Sequence, residues 1–147
     1  MEQVTLTNMC MIYNGNAVLV QDRINPNWSG ITFPGGHVEP AESFTDAVIR
    51  EVWEETGLII SAPRLCGIKS WPKSDGSRYI VFFYKTDRFS GELRYSPEGE
   101  VFWKTFEALP SLHLAKDMDD MLKVFLDDDL SEFYYFKEND QWNYALK

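Results

Sequence analysis

The sequence is short of cysteine, of positive charge and of long apolar runs. Only Cys10 and Cys66 occur in 147 residues, with no CxxC spacing. Two cysteines make neither a disulfide framework nor a zinc cluster, which points to a reducing, intracellular setting. Fourteen Lys and Arg stand against 23 Asp and Glu, a net charge of −9. So acidic a chain repels a phosphate backbone, which argues against broad binding to polymeric nucleic acid. It does not exclude a small phosphorylated molecule, provided a metal bridges acid to acid. No apolar run nears the ~20 residues of a membrane span. The first residues, MEQVTLTNMCMIY, lack a basic start followed by an apolar core. We therefore expect a cytoplasmic protein with no membrane attachment. Repeats and low-complexity tracts are missing as well, and residues 1–147 are expected to form one domain. A chain of this length buries roughly 70% of its unfolded surface and needs no staples.

What is present reads as alternating strand and helix patterns. Strands are expected over 4–12 and 17–21 about the turn Asn14-Gly15-Asn16, and a short one over 31–33 ending at Pro34-Gly35-Gly36. A helix over 44–56 follows: Ser43 is its N-cap, Phe44, Val48 and Val52 make an apolar stripe, and Gly57 closes it. Strands over 64–70 and 79–85 flank Ser74-Asp75-Gly76, and the nearly all-apolar second of these reads as buried on both faces. Another strand covers 101–106, and a second helix is expected over 115–126. Two aromatic strands, 132–137 and 142–146, turn at Asn139-Asp140. The order implies an α/β fold: a mixed β-sheet flanked by helices, with a C-terminal aromatic β-hairpin.

The first helix carries Glu51, Glu54 and Glu55 in the stretch GGHVEPAESFTDAVIREVWEETGLII. Positions i, i+3 and i+4 share one helix face, so like charges oppose one another there. A solvated acidic face is one reading of such a run. A hard divalent cation is the other, since magnesium takes carboxylates, waters and substrate phosphate. The adjacent Gly35-Gly36 turn lets backbone approach closely and can present a carbonyl to the same ion.

The spacing decides between them. From Gly36, five residues lead to Glu42 and seven more to Arg50; Glu51, Val52, Glu54, Glu55, Gly57 and Leu58 complete the pattern. This resembles the Nudix box at every fixed identity and both aliphatic positions, a far more specific signal than a lone glycine motif. The resemblance implies the family's α/β/α sandwich and hydrolysis of a diphosphate linkage in a nucleoside diphosphate derivative, with Mg2+ or Mn2+. It implies that Glu54 and Glu55 bind metal, that Glu51 is a ligand or the base, and that the Gly35 carbonyl completes the site. Arg50 and Glu42 are implied to brace loop against helix around Gly36 and Gly57. Many members add an acid from a later loop; here SPEGEVFW offers Glu98 and Glu100 as ligand or general base, with Glu98 preferred.

The box names the bond, not the molecule. Trp28, in a polar loop, and Phe33 are candidates to stack on a base, although most aromatics must fill the core. Arg23, ending VLVQDR, is a candidate phosphate contact. In relatives that clean oxidised purine nucleotides, the segment before the second helix reads the base, which makes Asp117 and Asp119 candidates. Helix capping and complementing the helix dipole are the simpler explanation of such acids. The whole chain is similar to bacterial 8-oxo-dGTP diphosphatase-type members, which implies a nucleoside triphosphate substrate and release of pyrophosphate. ADP-ribose or nucleotide-sugar hydrolysis stays open because Pro72 lies where such members often carry proline. A nucleotide-binding sensor without catalysis is the remaining alternative. The expected partner is a nucleotide, and the aromatic tail permits a monomer or a homodimer.

Overall fold

A computed structural model describes residues 1–147. β1 (Val4–Asn14) turns at Gly15 into β2 (Ala17–Arg23), followed by the short β3 (Gly30–Thr32). α1 (Phe44–Thr56) leads through β4 (Ile59–Ile60) to β5 (Arg64–Pro72) and β6 (Arg78–Thr86). β7 (Phe89–Ser90), β8 (Gly99–Thr105) and a 3-10 turn over Phe106–Ser111 precede α2 (Met118–Leu126), and β9 (Glu132–Glu138) and β10 (Gln141–Leu146) end the chain.

The main sheet runs β10-β9-β5-β6-β1-β2-β3, with β8 also paired to β2. β1 with β6 and β5 with β9 are parallel, while the remaining pairs are antiparallel. β1 alternates between two cores, as a strand with both faces covered must. Cys10 and Ile12 join Leu19, Val48 and Val52 under α1. Met9 and Met11 join Val18, Val20, Phe83 and Phe125 under α2. Val48 and Val52 are fully buried, and each contributes roughly 1.5–3 kcal/mol by leaving water. The molecule is thus the expected α/β sandwich, with a helix on each face of a mixed sheet. No helix is long and apolar enough to cross a membrane.

Several expectations change. The second helix starts at Met118, not residue 115. Ala115 donates to the Ile31 carbonyl and Ile31 to that of His113, at 2.9 and 2.8 Å, so residues 113–115 strap onto β3. Asp117 then takes a left-handed φ of 67°, which no α-helix continues through. β4 and β7 pair through only two residues each, too short for an alternation signal. β6 is not buried on both faces throughout: Tyr79, Ile80 and Phe82 are half-buried. Phe82 is covered by the Phe44 ring, 4.4 Å away, and Phe44 is itself exposed. Phe33 is 3% exposed and packs edge-on against Phe125 at 5.2 Å, so it belongs to the core and offers no face to a substrate.

Candidate active site

Local chemistry sets α1. The Ser43 hydroxyl accepts the Asp46 N–H at 3.0 Å, and Gly57 ends the helix at φ 83°, donating to the Trp53 carbonyl. The segment before it lies along β1. Cys10 donates to the Pro34 carbonyl, Asn8 to that of Gly36, and Val38 to that of Leu6. The Asn8 side chain then accepts the Gly36 N–H at 3.1 Å. Space demands the glycine at 35, where backbone blocks a Cβ, and at 36 glycine brings the Glu51 carboxylate against the turn. A Cβ on Gly35 would stand 2.0 Å from the Asn8 carbonyl oxygen, and one on Gly36 2.3 Å from the Glu51 carboxylate. Backbone and helix carboxylates therefore meet directly: the Gly35 N–H donates to Glu55 at 2.9 Å. The Gly35 carbonyl accepts none of the backbone hydrogen bonds.

Arg50 is the hub of the acidic face. Its Nε and Nη2 grip both oxygens of Glu42 at 2.7 and 2.9 Å. Nη2 also donates to the His37 carbonyl at 2.9 Å, and Nη1 reaches Glu51 at 3.0 Å and Glu54 at 3.2 Å. Hydrogen bonding to Arg50 pulls the Glu42 carboxyl down to about 2. Glu51 moves the other way, because burial outweighs its bond to Arg50. Burial also pushes Glu55 up to about 7, against the Gly35 N–H; the negative charges of Glu51 and Glu98 add to the rise and Arg23 opposes it.

As they stand, no three of these acids are grouped closely enough to grip a metal ion. The donor set nevertheless fits a hard divalent cation. Every candidate ligand is oxygen, and Glu54 is half-exposed at its side chain, at 49%, so it can turn. Magnesium needs only one or two carboxylates beside water and substrate phosphate. Burial is the first cause of the raised Glu51 and Glu55 carboxyls, and neighbouring negative charge adds to it.

The remaining candidates separate by face. Glu98, in the loop before β8, is exposed, and its charge reaches Glu55. Glu100 pairs across from Asp22, while Gln21 and Val101 form the next pair. Val101 packs into the core under α1, so Glu100 points to the other side of the sheet. Arg23 donates from Nε to the Trp28 carbonyl at 3.1 Å and lies 5.6 Å from the Trp28 ring. The Trp28 indole N–H donates to the Lys116 carbonyl at 3.1 Å. Asp117 faces Lys69 at 4.0 Å, whereas Asp119 is exposed on α2, away from any of these contacts. One contributor to the glycine turn escaped the sequence reading: Asn8, a polar residue inside an otherwise strand-like apolar run.

A family model described as the NUDIX domain matches residues 5–125. The chain is 32% identical over 111 residues to an uncharacterised Nudix hydrolase of Bacillus subtilis strain 168, YvcI, covering 72% of this chain and 69% of that one. It is 32% identical over 119 residues to the ADP-ribose pyrophosphatase of Methanocaldococcus jannaschii, covering 79% and 69%. A crystal structure of the MutT protein from Bacillus halodurans superposes with a TM-score of 0.81 at 29% identity, over 97% of each chain. With the intact carboxylate helix and its glycine turn already in place, these likenesses establish that the chain belongs to the Nudix family of hydrolases and is a pyrophosphohydrolase acting on nucleotide derivatives.

Proposed function

We propose that the protein is a Mg2+-dependent nucleoside triphosphate pyrophosphohydrolase, acting on a substrate such as 8-oxo-dGTP and releasing the monophosphate and pyrophosphate. The observation that carries this reading is the acidic face of α1 against the glycine turn: the Gly35 N–H donates to Glu55 at 2.9 Å, Arg50 holds Glu51 and Glu54 at 3.0 and 3.2 Å, and the charges of Glu98 and Arg23 both act on Glu55. Carboxylates there hold a cation, and a guanidinium beside them meets phosphate oxygens.

Glu54 and Glu55 would hold the metal, with Glu51 and the Gly35 carbonyl as further donors, and Mn2+ would suit the same set; such a cation would supply charge neutralisation for the diphosphate and a more acidic water. Glu98 takes the proton from the attacking water, being the loop acid on the Glu55 side of the sheet. Arg23 orients the phosphate chain, and Trp28 lies behind it. Arg50 and Glu42 keep α1 and the glycine loop in register, so the carboxylates do not splay. Cys10 and Cys66 are both free thiols, which agrees with a reducing cytoplasm where such nucleotides occur.

ADP-ribose hydrolysis is the second reading, favoured by the 32% identity to the Methanocaldococcus jannaschii ADP-ribose pyrophosphatase. Measuring kcat/KM with magnesium for 8-oxo-dGTP, dGTP, dATP, ADP-ribose and dinucleoside polyphosphates separates the two. A triphosphate is expected to rank first and to yield pyrophosphate. ADP-ribose ranking above every triphosphate overturns the proposal. Nucleotide binding without turnover would mark a sensor instead.

A further inference from the structure

Two amide side chains are stranded in the core under α1. Asn8 is 4% exposed and Gln21 1%. The Asn8 Nδ2 and the Gln21 Nε2 are both shut away from solvent, and neither has a hydrogen-bond partner. A buried donor left without an acceptor costs the full desolvation of that group, and native cores rarely carry one. Leucine or methionine would fill either place without that cost. The Asn8 amide is fixed in orientation, because its Oδ1 accepts the Gly36 N–H at 3.1 Å and Nδ2 must take the other side.

Strand alternation directs both towards the acidic helix. Asn8 shares a face of β1 with Cys10 and Ile12, which pack under α1. Gln21 shares a face of β2 with Leu19, which packs there too, and with Arg23, whose charge acts on Glu55. Along α1, Val52 belongs to the Leu19 cluster and Glu55 follows it by about one turn. Gly36 joins Asn8 to Glu51. It donates to the first, and a Cβ on it would meet the carboxylate of the second. Each of the two acids is held by one oxygen: Glu51 Oε1 accepts from Arg50 at 3.0 Å, and Glu55 Oε2 from the Gly35 N–H at 2.9 Å. Glu51 Oε2 and Glu55 Oε1 accept no hydrogen bond. Two donors without acceptors therefore lie beneath two acceptors without donors.

We infer that Asn8 and Gln21 are positioning residues for the metal-binding carboxylates: the Asn8 amide donates to Glu51, and the Gln21 amide to Glu55, when those acids turn to hold a divalent cation. This rests on the metal reading of the α1 face and adds to it two residues of the sheet beneath. A neutral donor suits that place. It fixes a carboxylate without bringing a positive charge that would compete with the ion. A carboxylate oxygen accepts more than one partner, so an amide on one side leaves lone pairs for the metal. Outer hydrogen bonds of this kind orient ligands and raise the affinity of a site. The desolvation borne by the two bare donors in the metal-free protein is then recovered on binding.

The test is NMR of the side-chain amides while magnesium chloride is titrated into the metal-free protein, with magnesium affinity measured by calorimetry for the wild type, Gln21→Met and Glu54→Gln. The amide protons of Asn8 and Gln21 are expected to move downfield as magnesium saturates, while those of Gln141 and Asn143, exposed on β10, stay in place. Gln21→Met should weaken magnesium binding by about 10- to 100-fold. In chelator it should melt at or above the wild type, because it removes an unpaired donor. Asn8 is followed by NMR alone, since replacing it also frees the Gly36 N–H. Unchanged magnesium affinity in Gln21→Met, or either resonance staying in place, overturns the inference. Should Gln21→Met fail to fold, the wild-type titration decides by itself. If Glu54→Gln loses magnesium while Gln21→Met keeps it, the metal reading stands and the two amides alone are struck from it. A wild type that binds no magnesium sinks both.

Discussion

The acidic end of the site and the Lys69 corner hold charge in opposite ways. Around Arg50, one cation is shared by Glu42, Glu51 and Glu54, all at 2.7–3.2 Å. Around Lys69, one cation has ring faces and a single carboxylate at 4.0 Å. The first end has acceptors in excess; the second has a cation with few acceptors.

The sharpest way to break this division is Glu54→Gln. Removing a metal-binding carboxylate should cut turnover on the order of 10³-fold or more, with nucleoside monophosphate binding retained, read by pyrophosphate release and calorimetry. A loss below tenfold removes Glu54 from the metal site. Next in size is the loop acid. Glu98→Gln should slow kcat by about 10²-fold, as loss of a general base does, and Glu100→Gln should leave it within about twofold, because Glu100 faces away from α1. Equal effects would erase the distinction drawn from strand register.

The smallest effect concerns stability without metal. In the unfolded chain Glu55 ionises at its ordinary 4.5, but in the folded protein it holds its proton up to about 7. The contribution is fully present below pH 4.5 and is lost as pH rises through 7. Glu55→Gln should therefore melt higher than wild type at pH 8 in chelator, by about 2–4 °C, with the gain vanishing near pH 4. A gain that grows as pH falls would show that negative charge is not what strains this end.

Legibility followed the same division. The acidic end sits within one continuous stretch, Gly35 to Gly57, where helix periodicity alone sets which carboxylates meet. The limits of α1, Phe44–Thr56, came out as expected because Ser43 and Gly57 are local signals. The Lys69 corner draws on β5, β9 and the strap before α2, whose meeting depends on the parallel pairing of β5 with β9. No spacing rule announces such a juxtaposition. Phe33 and Glu100 show the same limit in reverse: aromatic content made the first a candidate and the family resemblance the second, but burial in one case and strand alternation in the other decided their direction.

Arg50 is a flat group with two working edges. Nε and Nη2 hold Glu42 and the His37 carbonyl, and so fasten the loop. Nη1 alone touches Glu51 and Glu54. A divalent ion bound by those two acids would replace only the Nη1 contacts, so exchanging one cation for another there would leave the loop fastened.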